Sequence, residues 1–333
     1  MEISCDTTDG LPFKLHDFGA RGVSSSESAC IGGAAHLASG AMGSDTLEGI
    51  WTANYFYKIT MAGFSIPAAE HSTITSWGMT KEDEIAAYGN MLTVYAKPGA
   101  ILAVVSDSTD IYWACKEAWG VYLKQRVIDS GCTLVVRPDS GDPETVTLKC
   151  IEILGDQFGW TMNSKGYKVL KNVRLIQGDG VNERSIKNIL ANFRVHGWSA
   201  DNIAFGMGGA LLQGINRDTL GFAMKCCAIR VNGVWRDVKK NPITDSGKKS
   251  KAGRISLYKD GDKFICLPVD SVSATPAWED KKVYYPEVLQ DVYHLELTKC
   301  TIPQLTGNIP MVYKPVIKTY AFDEVRERAM KEM

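Results

Sequence analysis

The sequence has few of the features that would place a chain in a membrane, in an oxidising compartment or on nucleic acid. No apolar run approaches the roughly 20 residues that a bilayer-spanning helix needs. The first ten residues, MEISCDTTDG, lack the apolar core of a signal peptide. The nine cysteines are an odd number without CxxC spacing, which favours reduced thiols and a cytoplasmic location. Because the formal net charge is -1, we expect neither nucleic acid nor a membrane as a partner.

Several catalytic motifs are also missing. The sequence contains no HxxxH or HExxH pair and no Cys/His cluster, so a zinc site is not expected. It contains no GxSxG nucleophile elbow and no Walker A motif. The length of 333 residues corresponds to about two domains, or to one large α/β barrel with an appendage.

Four apolar runs in the middle of the chain alternate with helical patterns. They are ILAVVS (101–106), CTLVVR (132–137), VRLIQ (173–177) and NIAFG (202–206). Continuous apolar strands alternating with helices indicate a parallel sheet covered by helices. Four such units favour a barrel or an open doubly wound sheet. We therefore predict an α/β barrel-type catalytic core over residues 1–218 and an α+β portion over 219–333, which carries a basic loop and ends in a helix.

Each of these four strands ends in a tip rich in Gly or Asp: SDSTD, PDSGDP, GDG and MGG. Ligands bind at the carboxyl ends of parallel strands. One such tip could be an ordinary turn, but four in succession, with Arg137 and Asp139 among them, indicate a site. Carboxylates such as Asp139 and Asp179 suit sugar hydroxyls or phosphate-bound Mg²⁺, although Asp179 could equally cap a helix.

Other candidate residues have two interpretations each. Gly208 and Gly209 could bind an anion through backbone N–H groups, with Arg217 nearby, or could form a tight turn. His71 follows a glutamate in PAAEHST, so it could be an imidazole tuned by Glu70 or Asp110, or a structural histidine. The basic loop with Lys248 and Lys251 could be solvated or could close over a polyphosphate.

Nine segments, in their order and approximate spacing, resemble the nicotinamide phosphoribosyltransferase family of type II phosphoribosyltransferases. They are LHDFGARGVSS, GSDT, FSIPAAEHSTIT, VVSDSTDIY, RPDSGDP, NSKGYK, IQGDGV, AFGMGG and KKSKAGR. The resemblance runs from about residue 11 to the C-terminal helix and is weaker to the nicotinate and quinolinate phosphoribosyltransferases. It implies a barrel-like parallel-strand core. It also implies transfer of a phosphoribosyl group from 5-phosphoribosyl 1-pyrophosphate to nicotinamide, for NAD salvage, with Mg²⁺ accompanying the pyrophosphate.

The resemblance also implies how the pyridine ring is recognised. Phe18 would stack on the ring, and Asp45 would accept a hydrogen bond from the carboxamide. Ser106 and Arg137 would lie near the same group, and Ser65 belongs to the same substrate-binding set. A nicotinate carboxylate about 4 Å from Asp45 would cost several kcal/mol at an effective dielectric constant near 20, which favours the amide over the acid.

The phosphoribosyl part would bind to a second set of residues by the same resemblance. In chain order they are Arg21, Asp139, Gly178, Asp179, Gly208, Gly209, Arg217, Lys248 and Lys251. The first four would hold the ribosyl and phosphate groups, with Asp139 also associated with the metal, mostly through substrate phosphates. The next three would hold the 5-phosphate. The two lysines would approach phosphates from this subunit or from a neighbouring one.

His71 matches the histidine that the family phosphorylates when it hydrolyses ATP, a reaction coupled to tighter substrate binding. Asp110 and Glu70 are the carboxylate neighbours expected for it. ATP is therefore an expected co-substrate, and a homodimer with shared active sites is the expected assembly.

The chain also departs from the family pattern. The family carries a long region before LHDFG, whereas fourteen residues precede Leu15 here. We expect a separate N-terminal chain, or a fragmentary or divergent member. Ala20 replaces a tyrosine and Met207 replaces a serine. The alternatives left open are a nicotinate phosphoribosyltransferase and a non-catalytic, partial subunit.

Overall fold

The computed structural model describes residues 1–214, 226–239, 241–242, 250–260, 263–268 and 321–332. The chain divides into two compact units, Met1–Asn216 with Ala321–Met333, and Arg217–Tyr320. The terminal helix, which the sequence analysis grouped with the C-terminal portion, thus belongs to the first unit. Two predicted site residues, Arg217 and Lys248, lie outside the described residues.

The strands of the first unit are β1 (Leu15–Asp17), β2 (Gly43–Ser44), β3 (Ile101–Val105), β4 (Thr133–Arg137), β5 (Trp160–Met162), β6 (Lys168–Leu170), β7 (Val173–Gln177) and β8 (Ile203–Met207). Its helices are α1 (Ser26–Ala38), α2 (Leu47–Tyr57), α3 (His71–Thr75), α4 (Lys81–Tyr95), α5 (Ile111–Trp113), α6 (Lys124–Ser130), α7 (Pro143–Phe158), α8 (Glu183–Val195), α9 (Gly209–Leu212) and α10 (Phe322–Glu332). A π-helical segment, Ala114–Tyr122, joins α5 to α6. The four strands predicted from apolar runs are confirmed as β3, β4, β7 and β8.

Six parallel strands form one sheet in the order β2-β1-β8-β7-β4-β3. This order follows the chain around a circle, with β8 beside β1, as in a barrel. A doubly wound sheet would instead reverse its order at a switch point. The barrel-like, parallel-strand core predicted from the sequence is therefore confirmed.

The segment 64–69 bridges the two edge strands of this sheet. The Phe64 N–H donates to the Met42 carbonyl (2.7 Å) beside β2, and the Ala69 N–H donates to the Ala103 carbonyl (3.0 Å) in β3. Parallel bridges join Gly43 to Phe64 and Ala68 to Ala103. Backbone pairing thus continues from β2 through this segment to β3 and closes the circle of strands. The same pairing places the PAAEHST segment at the ends of the strands.

The two faces of the sheet differ in side-chain size. The outer face carries large apolar groups, such as Leu102, Leu134 and Leu175, which pack under the helices in the main core. The inner face carries a small cluster of Ala103, Val135 and Ile176, with Phe18, Ile66 and Ala204 beside it. The short side chains on the inner face, Ala103, Val135 and Ala204, leave space inside the circle of strands.

The helix α10 packs on α1 and α2. Phe322 is buried in a cluster with Leu37, Ala53 and Ala62, and its ring lies 5.5 Å from that of Tyr57. Arg326 donates to the carbonyls of Leu37 (3.0 Å) and Ala62 (2.6 Å), so these contacts fix the helix in the first unit.

The described part of the second unit contains two antiparallel strand pairs. They are β9 (Ala228–Val231) with β10 (Val234–Asp237), and β11 (Ile255–Asp260) with β12 (Lys263–Pro268). Lys251 lies in this unit and is exposed. In the described ranges of the whole chain, no helix has the length and apolar character of a bilayer span.

Candidate active site

A cavity of ≈ 240 Å³ lies where the parallel strands end. Its walls come from residues that follow β1, β2, β4 and β7 and from the bridging segment 64–69. The lining residues are His16, Phe18, Ala20, Arg21, Asp45, Ser65, Ile66, Ala68, Glu70, Ala103, Arg137, Asp139, Ile176 and Gly178. The lining includes eight residues that the sequence analysis predicted for the site: Phe18, Arg21, Asp45, Ser65, Glu70, Arg137, Asp139 and Gly178.

Phe18 forms the wall of the cavity at the end of β1. Its N–H donates to the Met207 carbonyl (2.9 Å), which continues the pairing of β1 with β8. Its ring lies over Gly206, where a Cβ atom would come within 1.9 Å of the ring. Glycine at this position is therefore required by the close approach of the ring, and the ring presents an aromatic surface for stacking.

Asp45 follows β2 and occupies the same inner face as Phe18, because the register pairs Asp17 with Ser44. Its N–H donates to the Asp17 carbonyl (2.9 Å), and its carboxylate accepts a short hydrogen bond from the Ser65 hydroxyl. Ser65 is held there by the segment that closes the ring. An ionised carboxylate can only accept hydrogen bonds, so this group suits a ligand that donates N–H.

Arg137, the last residue of β4, pairs with Glu70 in two parallel hydrogen bonds of 3.2 and 3.1 Å. The Arg137 side chain is 9% exposed, whereas that of Glu70 is 63% exposed, so the arginine is the fixed member of the pair. Its hydrogen bonds lower the pKa of Glu70. The buried Nε of Arg137 makes no hydrogen bond to any described residue.

His71 opens α3 and faces two carboxylates from neighbouring strand tips. Its Nε2 lies 3.6 Å from Asp107 Oδ1 and 3.4 Å from Asp139 Oδ2, and its Nδ1 lies 3.1 Å from the Ser108 hydroxyl. Burial raises the pKa of Asp139, and the nearby Arg137 opposes this shift. The cluster thus combines one imidazole with two adjacent carboxylates.

The sequence analysis did not identify Asp107 as a site residue, although its position after a predicted strand indicates one. The register pairs Val105 with Arg137, so the residues two positions further on, Asp107 and Asp139, follow neighbouring strands side by side. The Asp107 carboxylate accepts the Asp139 N–H (3.0 Å) and the Ser140 hydroxyl (2.5 Å). Counting from the strand ends would have identified it.

Neither of the two carboxylates predicted beside His71 makes a hydrogen bond or an ion pair with its imidazole in the described structure. Asp110 accepts the N–H groups of Tyr112 (2.9 Å) and Trp113 (3.2 Å) and therefore caps α5. Glu70 is bound to Arg137 instead, because the two-point contact with a guanidinium fixes its direction.

The position predicted for Ser106 also differs from that in the structure. Its side chain is fully buried on the outer face of the sheet, where its hydroxyl donates to the Val104 carbonyl (2.9 Å) and accepts from Trp119 Nε1 (3.0 Å). Successive side chains of a strand point to opposite faces. Since Asp107 faces His71, Ser106 faces the core.

The remaining predicted residues of this unit lie near the strand ends but outside the cavity lining. Gly208 and Gly209 follow β8 at the start of α9, and a Cβ on Gly209 would meet no atom within 4 Å, so the backbone there is open. Asp179 follows β7, and its carbonyl accepts from the Gln177 side chain (2.8 Å). Met207, the other departure from the family pattern, is buried, with its carbonyl bound to Phe18.

The described residues contain no group of three or more His, Cys, Asp or Glu side chains arranged as a metal site. Mg²⁺, however, is usually held by one or two carboxylates together with substrate phosphates. Asp107 Oδ1 is buried and makes no hydrogen bond within the described structure, and Asp139 is half-buried beside it. These two oxygen donors fit an ion that arrives with a phosphate ligand.

The sequence model of the "Nicotinate phosphoribosyltransferase (NAPRTase) family" matches residues 13–294. Among curated proteins, the nicotinamide phosphoribosyltransferase of Xanthomonas campestris pv. campestris (strain 8004) is 58% identical over 261 residues, which are 78% of this chain and 55% of that protein. Its namesake from Mycoplasma pneumoniae (strain ATCC 29342 / M129 / Subtype 1) is 37% identical over 266 residues, 76% of this chain and 55% of that protein. The chain spans about half the length of the curated relatives it matches. It is a member of the nicotinate phosphoribosyltransferase family.

Proposed function

We propose that this chain transfers the 5-phosphoribosyl group from 5-phosphoribosyl 1-pyrophosphate to nicotinamide, giving nicotinamide mononucleotide and pyrophosphate. The observation that carries the proposal is the carboxylate of Asp45, bound to Ser65, in one cavity with the Phe18 ring. The names of the similar proteins agree with this assignment.

The pyridine ring would stack on Phe18, whose position is set by Gly206. The carboxamide N–H would donate to Asp45. A nicotinate carboxylate in that place would repel Asp45 and could not donate a hydrogen bond. The fixed carboxylate of Asp45 would thus make the cavity prefer nicotinamide over nicotinate.

The phosphoribosyl group would occupy the strand tips beyond the ring, near Arg21, Asp139 and Gly178. Gly178 matters there because a Cβ would meet Asp139 Oδ1 at 3.2 Å and the Phe18 ring at 3.6 Å. Bond cleavage at C1 passes through an oxocarbenium-like state, so the side chains mainly position the two substrates and offset developing charge. The backbone N–H groups around Gly208 and Gly209 would hold the 5-phosphate.

Mg²⁺ would be held by Asp139 and Asp107 together with the substrate phosphates, and when bound it would neutralise charge on the departing pyrophosphate. Two hydrogen bonds support this proposal, because the Asp139 N–H and the Ser140 hydroxyl both donate to the Asp107 carboxylate and hold it beside Asp139.

A finer part of the proposal concerns ATP. His71 would accept the γ-phosphoryl group of ATP at a ring nitrogen, with release of ADP, and water would later hydrolyse the phosphohistidine. Ser108 and the two carboxylates fix the orientation of the imidazole in the free protein. The proposal also includes a homodimer with shared sites and a cytoplasmic location.

Exchange of the Asp45 carboxylate for an amide tests the assignment. In Asp45→Asn the repulsion of nicotinate disappears, so the ratio of kcat/KM for nicotinamide to that for nicotinate should fall on the order of a hundredfold. Asp129→Asn, an exposed aspartate bound to Gln125, is the matched control and should keep the wild-type ratio.

The two rival functions predict different results. A nicotinate phosphoribosyltransferase would prefer the acid before any substitution. A non-catalytic subunit would bind 5-phosphoribosyl 1-pyrophosphate without forming either mononucleotide.

A further inference from the structure

His16 lies inside the same cavity, although no role has been assigned to it so far. It belongs to β1, and the register pairs it with Gly43 of β2. Its ring lies over Gly43, where a Cβ would come within 2.6 Å of Nδ1. The ring therefore leans from β1 toward the strand that carries Asp45, and its centroid is 6.3 Å from that of Phe18.

The charged and titratable groups that act on His16 come from two neighbouring elements. Asp45 follows β2, and His36 lies on α1, where its Nε2 is 3.1 Å from the Gly43 carbonyl. Burial lowers the pKa of His16, while the carboxylate of Asp45 opposes this shift. Burial likewise lowers the pKa of His36, with Asp17 opposing. Both shifts favour the neutral imidazole, which leaves the Asp45 carboxylate as the charged group beside His16.

We propose that His16 is a specificity-determining residue whose protonation sets how strongly the cavity prefers a pyridine amide over a pyridine acid. The inference rests on the proposed function, which supplies the two ligands. With neutral His16, no positive charge on β1 offsets the repulsion between a carboxylate ligand and Asp45. When His16 takes a proton from solvent, the imidazolium offsets Asp45, and an anionic ligand is tolerated.

The acid ligand also gains a proton as the pH falls, and this would weaken the preference as well. A carboxylic acid has an ordinary pKa below about 5, whereas a histidine with a lowered pKa titrates below its ordinary value of about 6.5. A variant without an ionisable group at position 16 separates the two causes, because it loses the imidazole and leaves the ligand unchanged.

The first experiment measures kcat/KM for nicotinamide and for nicotinate between pH 8 and pH 5.5. We expect the amide-to-acid ratio to fall on the order of tenfold in the wild-type protein and to stay flat in His16→Gln. His196→Gln, an exposed histidine at the end of α8, is the control and should follow the wild type. An equal pH slope in His16→Gln and wild type would overturn the inference.

The second experiment needs neither a variant nor turnover. The ¹³Cε1 resonance of His16 is titrated by NMR in the free protein, with nicotinamide and with nicotinate. We expect bound nicotinate to move the titration midpoint upward and nicotinamide to leave it in place. Equal midpoints with both ligands would refute the role of His16. Absence of mononucleotide formation, together with a nicotinate-specific shift, would instead refute the proposed reaction and leave the inference standing.

Discussion

Gly206→Ala is the substitution whose effect follows most directly from the geometry of the cavity. A Cβ at this position would lie 1.9, 2.2 and 2.6 Å from three carbons of the Phe18 ring. An ordinary carbon–carbon contact is about 3.5 Å, so the ring must retreat by about 1.6 Å, the difference between 3.5 and 1.9 Å. The backbone of β8 and the Ile176 and Ala204 side chains limit that movement.

We expect two separable effects of Gly206→Ala. Overpacking of this kind destabilises a protein by about 1–3 kcal/mol, which urea or thermal denaturation will show. Misplacement of a substrate-positioning group by ~1 Å can lower kcat/KM on the order of a hundredfold. Mononucleotide formation at varied nicotinamide concentration will measure this loss, and weakened stacking will appear as a raised KM.

Two further variants make the test specific. Gly10→Ala is the matched control, because its φ is -77° and its nearest contacts would be 3.6 and 3.9 Å; it should behave as wild type. Phe18→Leu in the Gly206→Ala background removes the clash and should restore stability while leaving stacking weak. If Gly206→Ala has wild-type stability and KM, the ring does not lie where the structure places it, and the account of the pyridine site is wrong.

Three other predictions test individual contacts. Ser106→Ala leaves the indole N–H of Trp119 without its acceptor, so it should lower the free energy of unfolding by about 1–3 kcal/mol in urea denaturation, without a change in KM for nicotinamide. Asp107→Asn should reduce ATP-dependent product formation much more than Asp110→Asn, because asparagine caps helices about as well as aspartate; equal losses would contradict the assignment. Since the pKa of Glu70 is lowered in the folded protein, its ion pair stabilises the fold above the ordinary value of 4.5 and is lost as pH falls through the lowered value. The stability advantage of the wild type over Glu70→Gln should therefore vanish in acid denaturation below that range, and an advantage that persists there would show another cause.

The central strands were predictable because each is a continuous apolar run buried on both faces. ILAVVS and VRLIQ, for example, became β3 and β7. The strands β1 and β2 span three and two residues, so no periodicity identifies them from sequence. Their pairing is set by non-local contacts, such as that between His16 and Gly43. Non-local contacts also determine how segment 64–69 closes the circle of strands.

The candidate site was predictable to the extent that it lies on strand tips. Arg137 and Asp139 end a recognisable strand and lie where the tip places them. Ser106 and Asp107 show the limit of that reasoning, since adjacent residues at a strand end face opposite sides of the sheet. The resemblance supplied residue types and order, whereas the partner of each carboxylate depends on strand register. Register explains why Asp107, and not Asp110, faces His71.

The most direct test of the account is product analysis for the chain incubated with 5-phosphoribosyl 1-pyrophosphate and Mg²⁺. Nicotinamide and nicotinate are supplied in parallel, each with and without ATP. The account predicts nicotinamide mononucleotide, formed faster than the acid product and faster still with ATP. Formation of the nicotinate product in preference, or no product with either pyridine, would contradict it.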